Sequence, residues 1–188
     1  MFKPVLKFFC VFVTCLSSYS TAHEGPDPIA HWVLNERSVV DGQTLESRLG
    51  PSAKIDGSVS QSGTGLASSL HFDGDAIAIV QADHTKLAAN LLPKKDITIA
   101  TWFSIEEEKE WGGIVGVVQD NGAQEKGWVV GYNQRRFYFG LATVGADDGN
   151  GKMTYLESET RDEKGKLYHA LATYDGKKRQ QMVNGELA

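Results

Sequence analysis

In YHALATYDGKKRQQMVNGELA, residues 168–188, side chains alternate with a period of two, and the runs are broken by Asp175-Gly176 and Asn184-Gly185. A helix turns one side chain in three or four toward its core, whereas a period of two lines one face of a strand. Asp-Gly and Asn-Gly supply the positive φ values that tight hairpins need. The same rhythm occupies most of the chain. AHWVL (30–34) has strand composition, and SLHFDGDAIAIV (69–80) reads as two short strands around Asp73-Gly74. In DITIATWFSI (96–105), Ile97, Ile99, Thr101, Phe103 and Ile105 share one face, and Thr98, Ala100, Trp102 and Ser104 share the other. GGIVGVVQ (112–119) is apolar enough to be buried on both faces. WVVGY (128–132), RFYFGLATV (136–144), MTYLES (153–158), LYHALATY (167–174) and RQQMV (179–183) follow. Residues 35–68 are Gly- and Ser-rich, with KIDGSVSQSGTG a loop-like centre, and DHTKLAANLL (83–92) is the one helix-like stretch, closed by Pro93. Strands at roughly ten-residue spacing with so little helix predict an all-β, two-sheet sandwich or jelly roll.

Residues 1–22 form a different unit. Lys3 and Lys7 precede a short apolar run, Phe8 to Leu16, and Ser20-Thr21-Ala22 places small residues before a cleavage point at His23. This is the pattern of a secretory signal peptide. The run is about half of the ~20 residues a bilayer span needs, so no membrane span is expected after cleavage. Cys10 and Cys15 are the only cysteines, and both lie in this leader. The mature chain can therefore form neither a disulfide nor a thiolate metal site. Without the two leader lysines, the 19 basic residues fall to 17 against 24 acidic ones, a net charge of −7. That balance argues against nucleic acid, whose binding is dominated by phosphate neutralisation. The expected location is secreted or periplasmic. Residues 1–22 are read as the leader, 23–29 as a polar lead-in, and 30–188 as one domain.

AHWVLNE, SLHFDGDAIAIV, DITIATWFSI, GWVVGYNQRRFYFGLAT and KLYHALATYDGKKRQQMVNGEL resemble, in that order, the concanavalin A-like, laminin G-like jelly-roll domains. The resemblance covers residues 29–188 and is most specific in the final hairpin. There the family carries Trp where this chain has Leu167, which fills part of the core volume without the ring or its N–H. In the family, several further strands follow the Asn-Gly turn and complete both sheets. Here only Glu186-Leu187-Ala188 follow. The resemblance thus implies an antiparallel sandwich whose last strands are missing, a truncated frame or a fragment of a longer secreted protein. The alternative is a shortened jelly roll that closes differently.

Several residue groups bear on chemistry. Glu106, Glu108 and Glu110 stand two apart, but the run lacks the Glu-x-Asp-x-x-Glu strand of the glycosidases that share this fold, so it reads as a solvated loop. Asp73 and Asp75 flank a glycine and are the best placed pair for Ca²⁺, which related domains often hold at the sheet rim. Asp120-Asn121-Gly122 and Asp147-Asp148-Gly149-Asn150 are other oxygen-rich turns. The plain alternative is that Asp, Asn and Gly are turn formers. His23, His31, His71, His84 and His169 show no metal-ligand spacing, and no nucleophile or phosphate-cradling motif occurs. Sugars stack on exposed aromatic faces, which makes Trp111, Trp128, Tyr132 and Tyr138, with Arg135 between, the candidate ligand-binding set. Trp32 and Trp102 lie in strands and are expected in the core.

The expected function is an exported, non-catalytic recognition module for carbohydrate or an extracellular protein, with Ca²⁺ as the one candidate cofactor. The other readings are an N-terminal accessory module of a larger secreted hydrolase, such as a phosphoesterase or glycosidase, and a structural adhesion segment.

Overall fold

A computed structural model of the chain describes residues 27–64, 68–80, 95–107, 109–120, 123–134, 136–142 and 151–188. The leader and the helix expected at 83–92 lie outside these. The described residues contain sixteen strands, one short 3₁₀ turn at Glu36–Ser38 and no α-helix.

The amino-terminal part is built from short strands: β1 (His31–Trp32), β2 (Val39–Val40), β3 (Thr44–Leu45), β4 (Ser47–Leu49), β5 (Ala53–Asp56), β6 (Val59–Ser62), β7 (Ser69–Phe72) and β8 (Ile77–Ile79). They pair as β1-β4, β2-β3-β5-β8 and β6-β7. The loop expected around KIDGSVSQSGTG is therefore largely strand. Its sequence is Ser-rich because these strands are exposed along one side, while Ala53 and Ile55 point inward and are buried. The two strands expected around Asp73-Gly74 form, yet they do not pair with each other. β7 takes β6 as its neighbour and β8 takes β5. Leu34, Leu45, Ala53, Ile55, Leu70, Phe72, Ala76 and Ala78 gather into one hydrophobic cluster.

The remaining strands are longer: β9 (Ile97–Phe103), β10 (Trp111–Asp120), β11 (Glu125–Asn133), β12 (Arg136–Ala142), β13 (Thr154–Arg161), β14 (Tyr168–Tyr174), β15 (Arg179–Val183) and β16 (Glu186–Leu187). They form two four-stranded antiparallel sheets, ordered β10-β11-β12-β13 and β16-β15-β14-β9. Between them lies the larger core, where Phe103 and Tyr168 meet Phe137 at ring-centroid distances of 5.3 and 4.7 Å. The Tyr168 hydroxyl, at the buried end of its ring, donates to the Arg161 carbonyl at 3.1 Å and accepts the Glu163 N–H at 2.8 Å. Burial of that ring costs no lost hydrogen bond. Arg179 ties the sheets at one edge, its guanidinium donating to the Thr154 carbonyl at 2.6 Å.

Alternation predicts the inner faces well. Thr101, Phe103, Ala170, Ala172, Tyr174 and Val183 are all buried. Two aromatic and aliphatic positions differ. Trp102 alternates to the free face and is 39% exposed rather than in the core, its ring tilted against His169 at a centroid distance of 4.7 Å. Leu167 also lies at the surface, so it fills no core volume; Tyr168, the next residue, occupies the buried position. Trp32 is half-buried against the amino-terminal cluster, its indole N–H donating to the Pro51 carbonyl at 2.9 Å.

Candidate functional site

The free face of the β10-β11-β12-β13 sheet carries an aromatic cluster. Antiparallel register puts Trp111 opposite Asn133, Gly131 opposite both Gly113 and Tyr138, and Gly140 opposite both Val129 and Tyr155. Residues facing one another across strands lie on the same face. Trp111 meets Tyr138 at 5.6 Å and Tyr155 at 5.5 Å, and the two tyrosines meet edge to face at 5.3 Å. These are attractive geometries for aromatic quadrupoles, worth about 0.5–1.5 kcal/mol per pair beyond burial.

Glycine makes the arrangement possible. A Cβ at Gly131 would come within 2.6 Å of the Tyr138 ring and would also strike the Gly112 carbonyl. A Cβ at Gly140 would stand 3.0 Å from the Tyr155 ring. The tyrosines therefore lie down across bare backbone. Tyr138 is buried beneath its neighbours and donates to the Gly112 carbonyl at 3.4 Å. Trp111, 51% exposed, and Tyr155, 40% exposed, present the outer surface.

The electrostatics keep both phenols neutral. Burial, with Tyr155 and Tyr132 nearby, pushes the Tyr138 hydroxyl far above the ordinary tyrosine range. Partial burial raises Tyr155 as well, followed by the charges of Glu125 and Asp120. Glu125 and Asp120 face each other across β10 and β11, and a Glu125 carboxylate oxygen accepts the Met153 N–H at 2.7 Å. Glu157 stands opposite Tyr138 on β13. The face thus sets flat apolar rings, protonated hydroxyls and carboxylate acceptors side by side.

The other expected ligand residues go elsewhere. Tyr132 faces inward against Gly112 and is buried among the core residues, away from the aromatic face, and it also lines the cleft beside Asp73. Trp128 also points inward, half-buried against the main core. Both share strand parity with Val130, opposite to that of Gly131. Arg135 lies outside the described residues. Tyr155 was missing from the expected set. Alternation in MTYLES puts Tyr155 and Glu157 on one face, but only strand pairing shows that this face is shared with Trp111 and Tyr138.

Asp73 lies at a second feature, a cleft of about 240 Å³ lined among others by His71, Glu106, Glu107, Lys109 and Lys164. His71 Nε2 is 3.4 Å from Asp73 Oδ1, and the Lys109 ammonium donates to the Gly74 carbonyl. Asp75 lies exposed on the same turn. Ca²⁺ takes six to eight oxygens. Among the described residues no three acidic, His or Cys side chains converge on a metal position, and the carbonyl between the two aspartates already holds a cation. Glu106, from the acidic run, is on an exposed bend at the cleft rim and not on a strand. Glu108 lies outside the described residues.

Two antiparallel sheets packed face to face, with an open aromatic surface on one of them, define an antiparallel β-sandwich. The chain belongs to the concanavalin A-like lectin/glucanases superfamily, a laminin G-like family that matches residues 80–188, more than half of its length. Laminin G-like domains are typically non-catalytic modules that bind carbohydrate or protein, and they are usually extracellular. No curated protein and no solved structure gave a match. Among the described residues no helix is long and apolar enough to cross a membrane.

Proposed function

We propose that this chain is an exported, non-catalytic carbohydrate-recognition module whose binding surface is the Trp111–Tyr138–Tyr155 face. The observation that carries the reading is an indole half open to solvent, braced by two tyrosines on the free face of a sheet. Pyranose rings present weakly positive C–H groups that match the negative face of such a ring. The Tyr155 hydroxyl would donate to, and the nearby Glu157 carboxylate accept from, sugar hydroxyls. The leader pattern of residues 1–22 and the acidic composition support export.

Titration of the purified protein with soluble β-linked oligosaccharides, followed by tryptophan fluorescence and calorimetry, tests this reading. Trp111→Ala and Tyr155→Ala should each weaken binding by about ten-fold, equivalent to ~1.4 kcal/mol, and shift the thermal midpoint by only a few degrees. Trp102→Ala, on the opposite sheet, should bind like the parent. Equal affinity of Trp111→Ala and the parent would remove this face from the function. A parallel titration in chelator decides calcium separately: unchanged affinity leaves the Asp73–Asp75 turn without a role in recognition.

A further inference from the structure

We propose that the glycan taken by this face carries no anionic group, being a neutral pyranose chain or one bearing free amino groups. The inference deepens the carbohydrate reading and rests on it.

The charge around the rings is lopsided. By register, Asp120 and Glu125 close one end of the free face, beyond the row that holds Gly140 and Tyr155. Glu157 stands beside Tyr138, two residues along β13 from Tyr155. Adjacent rows on one face are about 7 Å apart, so Glu157 is well within a Debye length of anything resting on the rings. The described cations of this face, Arg136 and Arg161, oppose each other in the row of Trp111, at the end away from Asp120 and Glu125. Arg136 is itself shared with Glu159, 3.9 Å away. Among the described residues on the strands of this face, Asp120, Glu125, Glu157 and Glu159 outnumber Arg136 and Arg161. The raised Tyr155 hydroxyl agrees, since Glu125 and Asp120 are among its causes. A sulfate or uronate stacked there meets like charge. A hydroxyl or an ammonium finds an acceptor in the exposed Glu157 carboxylate, and charge assistance strengthens the ammonium's bond.

Three hexamers with the same β-1,4 linkage separate the possibilities: cellohexaose, the chitosan hexamer and the mannuronate hexamer. Calorimetry at low and at high salt reads each against the purified protein. The neutral and amino hexamers should bind, the amino one more tightly at low salt. The mannuronate hexamer should be at least about ten-fold weaker at low salt, with the gap narrowing as salt screens it. Glu157→Gln, an exposed change, should narrow the gap in the same direction without moving the thermal midpoint. Mannuronate binding equal to or tighter than cellohexaose, with Trp111 still required, overturns this inference and leaves the sugar platform standing. Failure of all three to bind overturns the platform reading, and the inference falls with it.

Discussion

Gln181 is fully buried on β15, yet neither end of its side-chain amide finds a hydrogen-bond partner among the described residues. An unsatisfied buried amide costs about 1–3 kcal/mol. Gln181→Leu keeps most of the volume and removes the polar atoms, so it should raise stability by roughly 1–2 kcal/mol, read as a higher urea midpoint at unchanged m-value. A loss of stability would mean that the amide is satisfied in solution. Asp175 illustrates the opposite case at the surface. The Lys178 and Lys177 N–H groups donate to its carboxylate at 2.7 and 2.8 Å and hold its pKa below the usual range. A folded pKa below the unfolded one means that the unfolded chain binds protons more readily. The stabilisation is therefore complete above the ordinary carboxylate pKa of about 4 and is lost as pH falls through the folded value. Asp175→Asn should flatten that acid limb in a series of denaturant melts against pH. Neither residue announces its state in the sequence: a Gln in an alternating strand reads the same whether or not its amide is paired.

The β14–β15 hairpin and the turn after it were legible as elements. Period-two alternation assigned the inward face, and the Asn-Gly dipeptide assigned the turn. Asn184 and Gly185 have φ values of 51° and 86°, both in the left-handed region that a type I′ turn requires. A Cβ at Gly185 would meet nothing within 4 Å. The cost of Gly185→Ala is thus conformational alone, about 1 kcal/mol, and should appear as a matching fall in denaturant midpoint with no change in the native spectrum. A cost well above that would point to a contact made by the turn. Residues 35–68 show where such reading stops. Strands of two to four residues cannot establish a period, and with serines on their exposed faces they look like loop. Their pairing with distant partners, such as β5 with β8, makes them strands.

At the scale of the molecule, the described residues form two hydrophobic clusters, and Val115 on β10 packs against both. The larger is enclosed by two four-stranded sheets, the smaller by short ladders with much of their length exposed. Native-state hydrogen exchange should therefore protect the amides of β11, β12 and β14 most strongly, with β1 to β6 opening at lower free energy. Equal protection across both parts would show a single cooperative unit. The class of fold, the inward faces of the long strands and both glycine turns were set by sequence-local rules, because strand alternation and backbone φ preference are properties of neighbouring residues. The partnership of Trp111 with Tyr138 and Tyr155, and the turning of Tyr132 and Trp128 to the core, depended on strand register. Register shifted by one residue exchanges every inward and outward side chain, and it is settled by packing across strands far apart in the chain.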